Sequence, residues 1–229
     1  EMIRYLGGNI RLNWSDTAKT YDVDLQPFAA GGVRYAYHAQ RDDDRSPGSK
    51  KPLVAKDFQR AGRDTLEAHV AEMKGIACAA FLAQDFCKQL GIDKDDFRYV
   101  RVAIVDRGLE ARGGGSRFWS IEEVLAGWEK MNSNNGYVDN RPEYALAQAF
   151  SHFTHNATQG ELMVLDLQGT RTADGKFVLS DPAVQTRDRS KFNNPTNIGE
   201  KAIRKFFVAH QCNEYCQKLG LKSHPEHSC

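Results

Sequence analysis

The stretch ELMVLDLQGTRTADGKFVLSDP, residues 161–182, decides how the chain is read. Leu162, Met163, Val164 and Leu165 form a near-continuous apolar run, the pattern of a strand buried on both faces. KFVLSDP (176–182) is a second strand closed by Pro182. Each strand ends on an acidic residue: Asp166, with Gln168 two positions on, and Asp181. Two carboxylates and an amide so placed suit the orienting of a hydroxyl and the holding of Mg2+ through oxygen ligands. Aspartates at strand ends also cap turns, and the residues alone leave both readings open.

Downstream, a helix is expected to begin around Gly199 and to carry Ile203, Phe206, Phe207 and His210. HQCNEYC (210–216) follows, and on a helix Cys212 and Cys216 would share a face one turn apart, with His210 swinging in from the preceding turn. A fourth ligand could come from His152 or His155 in FSHFTH, within a helix expected from near Glu143 through Phe153. Two imidazoles and two thiolates make a closed set of the kind that holds structural zinc and leaves no open position for catalysis. The bland alternative is buried free cysteines beside ordinary polar histidines.

Upstream, the first third reads as strands: IRLNW (10–14), TYDVDLQPF (20–28), VRYAYHAQ (33–40) and PLVAKDF (52–58), the last two joined by a polar turn containing Pro47-Gly48. Gly31 and Gly32 let backbone amides approach phosphate oxygens, Arg34 can fork onto phosphates and Lys56 supplies a point charge. A Gly-Gly hairpin and a strand lysine are equally at home without a ligand, and no Walker pattern is present. A helix over 63–90 is expected with an apolar stripe of Leu66, Val70, Met73, Ala77, Ala80 and Leu90, ended by Gly91. FRYVRVAIVD (97–106) alternates like one strand, RGLEARGGGSRF (107–118) is a glycine-rich connecting loop, FWSIEEVL (118–125) is a further strand, and 126–137 is polar. A strand-rich first half and a helix-rich second half imply an α+β chain in two lobes, divided as 1–120 and 121–229.

The 229 residues carry 31 basic and 30 acidic side chains, net +1, which leaves no broad footprint for nucleic acid or an anionic membrane. No stretch approaches the roughly 20 apolar residues of a membrane span. The opening lacks the pattern of a secretory signal and reads as the abrupt start of an excised domain. Five scattered cysteines are a poor disulfide framework and favour a reducing, cytoplasmic setting.

In this order the pieces resemble the α-kinase family, which includes myosin heavy chain kinases, the elongation factor 2 kinase and channel-linked kinases. The resemblance rests on FAAGGVRYAYHA (28–39), PLVAKDF, IEEVLAGWEKMNSNNG (121–136), AQAFSHFTHNATQGELMVLDLQG (147–169), LSDPAVQT (179–186) and TNIGEKAIRKFFVAHQCNEYCQKLGL (196–221). It implies a serine/threonine protein kinase with ATP between two kinase-like lobes. Lys56 and Arg34 would grip the phosphates beside Gly31 and Gly32. Glu122, or its neighbour Glu123, would lie beside the adenine, and Glu67 or Glu72 would pair with Lys56. Asp166 would be the catalytic aspartate, with Gln168 and Asp181 on Mg2+ and Lys130 and Asn134 lining the active site. The zinc set would be His152, His210, Cys212 and Cys216, leaving His155 a bystander. The protein substrate would be myosin heavy chain, with elongation factor 2 or a non-catalytic nucleotide-binding role as alternatives. The family usually shows TDLGxxG where this chain has TNIGEKA, so Asn197 and Ala202 stand at positions expected to bear on substrate choice.

Overall fold

The computed structural model describes residue 15 and residues 18–60, 65–108, 116–192, 194–222 and 224. The strand expected at 10–14 and most of the glycine-rich connector (109–115) lie outside the described residues. The chain forms two compact units. One takes the described residues up to Met73 together with Val100–Val124, and the other takes Lys74–Tyr99 and the described residues from Leu125 onward. The sequence suggested a single division at residue 120, whereas the chain passes between the units several times.

The first unit is a sheet in the order β1 (Asp22–Val23), β3 (Arg34–Asp42), β4 (Lys50–Phe58), β7 (Phe118–Glu123), β6 (Val102–Asp106), with β2 (Ala29–Ala30) also on β3. All its pairings are antiparallel. The β3–β4 hairpin keeps register from Arg34↔Phe58 to Asp42↔Lys50. Its turn carries Gly48 at φ 84°, a conformation that L side chains adopt at a steric cost and glycine adopts freely. Ala39, Leu53, Ala55 and Ile121 form the small core on one face of this sheet.

Helix α1 (Leu66–Leu90) ends as expected: Gly91 has φ 70°, and the Ile92 amide donates back to the Cys87 carbonyl at 3.0 Å. Its buried stripe differs from the one expected. Ala77 is exposed, and the core-facing residues of the second half are Ile76, Ala79, Ala83, Phe86 and Leu90, at steps of three and four. Small residues on both faces blurred the period there. Phe86 meets Phe97, Phe150 and Phe153 with ring centroids 5.3–5.5 Å apart. Emptying that position would cost about 3–5 kcal/mol.

The second unit contains a sheet ordered β5 (Phe97–Tyr99), β11 (Phe177–Ser180), β10 (Gln168–Arg171), β8 (Trp128–Lys130), and a strand pair of β9 (Leu162–Leu165) with β12 (Ala183–Thr186). Its helices are α2 (Ala145–Ala157), α3 (Glu200–Ala209) and the short α4 (Glu214–Lys218). The stretch read as one strand at 97–106 is two, β5 and β6, in different sheets. All four residues of β9 are buried, as their apolar run requires. The chain is thus α+β in two units.

Candidate active site and metal centre

Two regions carry the candidate chemistry, one in each unit. In the strand-rich unit, Lys56 on β4 lies opposite Ser120 on β7, and Glu122 lies opposite Val54. Period-two alternation puts Lys56 and Glu122 on one face, diagonally across the two strands. Lys56 Nζ stands 2.6 Å from Glu122 Oε1, with the side chains only 9% and 5% exposed. A pair withdrawn this far from water depends on both partners, because either charge left alone is strongly unfavourable. Glu122, expected beside an adenine, thus also meets the lysine, and Glu123 alternates to the opposite face. Of the two helix glutamates expected on Lys56, Glu67 and Glu72, the second places Oε2 3.9 Å from Arg34 Nη2. Beneath β4 and β7, His69 Nδ1 is 3.0 Å from Ser120 Oγ and fully buried. Sequence reading passed over His69; its spacing on α1 was the available signal.

Gly31 and Gly32 form the bend between β2 and β3, where the Gly31 amide donates to the Arg34 carbonyl at 2.9 Å. Gln59 Nε2 donates to the Gly31 carbonyl at 2.6 Å and pins the bend. A Cβ at Gly32 would meet nothing within 4 Å, and one at Gly31 would make ordinary contact with the Arg34 carbonyl. The fold does not itself require glycine here. Its effect is to leave the backbone open to a close approach from outside.

In the second unit, a single long hairpin makes the site. β9 pairs with β12 up to Leu165↔Ala183, and β10 pairs with β11 from Gln168↔Ser180. Between these ladders each arm spends two residues changing sheets, Asp166 and Leu167 on one and Asp181 and Pro182 on the other. The two aspartates thus sit at the same level of the hairpin, and both have left-handed backbone, φ 60° and 48°. Asp tolerates this conformation better than most residues, at a cost on the order of 1 kcal/mol each. Lys130, on the neighbouring strand β8 opposite Gln168, places Nζ 2.7 Å from Asp166 Oδ1. Burial pushes the Asp166 carboxyl up, the Lys130 contact acts against this, and the Asp181 charge adds to the rise. Gln168 Nε2 donates to the Asp181 carbonyl at 3.4 Å. Gly169, at φ 150°, could not be any other residue: a Cβ would come within 2.2 Å of the Val178 carbonyl oxygen.

Lys130, Asp166, Gln168 and Asp181 are brought together, and Asn134 lies on the segment that follows β8. Its amide donates to the Thr196 carbonyl at 3.1 Å. Asn132, absent from the sequence reading, is fully buried and accepts from the Leu167 amide at 3.0 Å while donating to Gln148 Oε1 and Ser151 Oγ, each at 3.0 Å. It fastens the turn after Asp166 to α2. Asn197 is also buried, donating to Thr186 Oγ1 and the Phe192 carbonyl and accepting from the Thr186 and Gly199 amides. A carboxylate could make only the latter two bonds, so the amide at this position is matched to the loop that it holds. Ala202 is buried within α3.

His152, His210, Cys212 and Cys216 present ligand atoms that all lie within 4.8 Å of one another. Cys212 Sγ is 3.7 Å from His152 Nδ1, and Cys216 Sγ is 3.6 Å from His210 Nε2. Tetrahedral zinc with its usual bond lengths spaces sulfur and nitrogen at about 3.5 Å. The far nitrogen of His152, Nε2, meets the Lys222 carbonyl at 3.0 Å, which fixes the tautomer facing the cluster. Cys212 is not helical as expected: α3 ends before His210, and Asn213 caps α4 by accepting from the Tyr215 and Cys216 amides. Nor is it reduced, being disulfide-bonded, whereas Cys78, Cys87 and Cys216 are free. His155 stands apart on Phe207, and burial, with His224 and His152 nearby, pushes its imidazole down to about 4.

The sequence profile of the Alpha-kinase family matches residues 29–216. Alpha-protein kinase vwkA of Dictyostelium discoideum is 27% identical over 224 residues, 96% of this chain and 34% of that protein. The chain therefore spans about a third of that relative's length. A solved structure of an alpha kinase from Entamoeba histolytica superposes with a TM-score of 0.80 at 28% identity, covering 100% of this chain and 88% of that one. The alpha-kinase domain of myosin heavy chain kinase A in complex with ADP matches with a TM-score of 0.71 at 25% identity, covering 88% of each chain. Among the described residues no helix is long and apolar enough to cross a membrane.

Proposed function

Because this chain belongs to the α-kinase family, we propose that it is a serine/threonine protein kinase, moving the γ-phosphoryl group of ATP to a hydroxyl of a protein substrate. The observation that carries this reading is the hairpin that changes sheets on two left-handed aspartates, with a lysine and an amide converging on them. Residues holding unfavourable backbone angles where the fold could have used relaxed ones point to a site where side-chain direction matters.

Lys56 and Arg34 bind the ATP phosphates as a point charge and a fork, and the open backbone of Gly31 and Gly32 lets the phosphates come close. Glu122 holds the Lys56 ammonium in place. Asp166, with its carboxyl raised by burial, orients the Ser or Thr hydroxyl and takes its proton as the oxygen attacks phosphorus and ADP leaves. Lys130 keeps that carboxylate aimed. Gln168 and Asp181 offer the hard oxygen donors that suit Mg2+, which when bound neutralises phosphate charge. Asn134 shapes the loop that receives the substrate by holding Thr196.

His152, His210, Cys212 and Cys216 hold structural Zn2+. Their donors and spacing fit the ion, provided that the Cys212 disulfide is opened to a thiolate. A cytoplasmic setting supplies both the reductant and the ATP. The ADP complex of a myosin heavy chain kinase domain supports the nucleotide, and the name of that relative supports myosin heavy chain as substrate.

The test is incubation with γ-labelled ATP, Mg2+ and purified myosin heavy chain, followed by mapping of the labelled side chains. Label on Ser or Thr that vanishes in the Asp166→Ala protein is the expected result. ATP binding with no transfer to any protein in a cell extract would sink the reading.

A further inference from the structure

Helix α3 is sharply two-faced. Ala202, Ile203, Phe206 and Phe207 are buried, whereas Lys201, Arg204, Lys205 and Val208, spaced i, i+3, i+4 and i+7, form one outward stripe. The stripe walls a groove of about 600 Å3 whose other side is Asn135 and Gly136. Gly136 has φ 97°, and a Cβ there would stand 3.1 Å from Lys205 Cβ, so loop and helix are built tightly against each other. Lys205 Nζ lies 3.4 Å from the Asn135 carbonyl. The one acid in the groove, Glu200, faces Arg187 at 3.7 Å and Arg204 at 4.0 Å. Three cations thus stand in one concavity of a chain whose net charge is +1, beside a valine that is 70% exposed.

We propose that this groove docks an acidic segment of the protein substrate, whose carboxylates meet Lys201, Arg204 and Lys205 and whose apolar side chain covers Val208. The inference rests on the kinase reading above. Continuity ties the groove to the site: Asn135 is five residues from Lys130, the partner of Asp166, a reach of at most about 18 Å. The intervening Asn134 holds the Thr196 carbonyl, four residues before α3 begins. A segment bound here lies within a short peptide length of the hydroxyl-orienting carboxylate. A lipid surface fits less well, because the cations line a concavity and a single valine offers too little apolar area to insert.

The experiment uses the whole chain and three fluorescent probes at low ionic strength. They are a threonine peptide with a flank of Glu and Leu, the same peptide with Gln for Glu, and phosphatidylcholine vesicles containing phosphatidylserine. The Glu peptide should bind about tenfold tighter than the Gln peptide, with a KM lower by a similar factor and kcat unchanged. That preference should fade as salt is added. Lys201→Glu/Lys205→Glu should erase the preference, and Lys201→Ala/Lys205→Ala should reduce it, with the KM for ATP and the circular dichroism unaltered. Equal affinity for the two peptides, a preference that survives the charge reversals, or a loss confined to vesicles would overturn the docking role. Charge-dependent binding without phosphate transfer would support the groove and defeat the kinase reading, whereas transfer without preference would do the reverse.

Discussion

Each unit has a lysine–carboxylate pair among its candidate site residues, and the two pairs are built on opposite principles. Lys56 and Glu122 meet at 2.6 Å across regular antiparallel strands, both nearly sealed from water. Lys130 and Asp166 meet at 2.7 Å, but the lysine is 40% exposed and the aspartate sits on a strained backbone with its carboxyl pushed up by burial. The first pair is held in place by regular strands and shielded from water. The second is open to solvent, sits on left-handed backbone and has its carboxyl raised by burial, surroundings that would suit a group exchanging a proton. On the proposed reading, binding and chemistry would each draw on a lysine and a carboxylate in different surroundings.

The comparison breaks most visibly at Asp166. Asp166→Ala should lower turnover roughly 10³-fold, with nucleotide affinity measured by calorimetry unchanged, because the phosphate grip lies elsewhere. In the other unit the loss should be of stability. Glu122→Gln removes the carboxylate that meets the buried Lys56 ammonium at 2.6 Å and should cost on the order of 3 kcal/mol in urea unfolding. Lys56→Met/Glu122→Leu should recover most of that stability while ATP binding stays lost. Recovery of ATP binding would show that the pair is only structural. For the cluster of histidines and cysteines, reduced protein should carry one zinc by elemental analysis, and chelation should lower Tm on the order of 10 °C. The smallest effect concerns pH. The folded Asp166 carboxyl lies above its unfolded value, so its ionised form costs stability at neutral pH, and that cost fades as pH falls through the folded value. Asp166→Asn should therefore be somewhat more stable than the parent at neutral pH, the difference closing on acidification. A variant less stable at neutral pH would mean that Lys130 outweighs burial.

Much of this was legible in order and little of it in register. The apolar run of β9, Gly91 after α1 and the alanines of α2 announced themselves because each reports a local property of the chain. Asp166, Gln168 and Asp181 were legible as a pair of strand ends, yet their left-handed backbone was not, since Asp is common in turns of every kind. β8 escaped notice because Trp128, Glu129 and Lys130 are all exposed: an edge strand defined by its pairing to β10 has no apolar alternation to show. β5 and β6 merged because their period of two runs across the break, and only distant partners decide which sheet each joins. The role of Glu122 depended on the β4–β7 register, again a long-range matter. Asn213 is a different case, for an asparagine ahead of Glu214 is a local cap signal, and heeding it would have kept Cys212 off the helix.

Gly169 shows how little separates an active hairpin from a displaced one. Its missing methyl group lets β10 lie close against the Val178 carbonyl, and that closeness spaces Gln168 from Asp181. Gly169→Ala would wedge the two strands apart while leaving every reacting group in the chain intact. Such a protein would be a silent relative of the parent, complete in its inventory of side chains and wrong only in the gap between them.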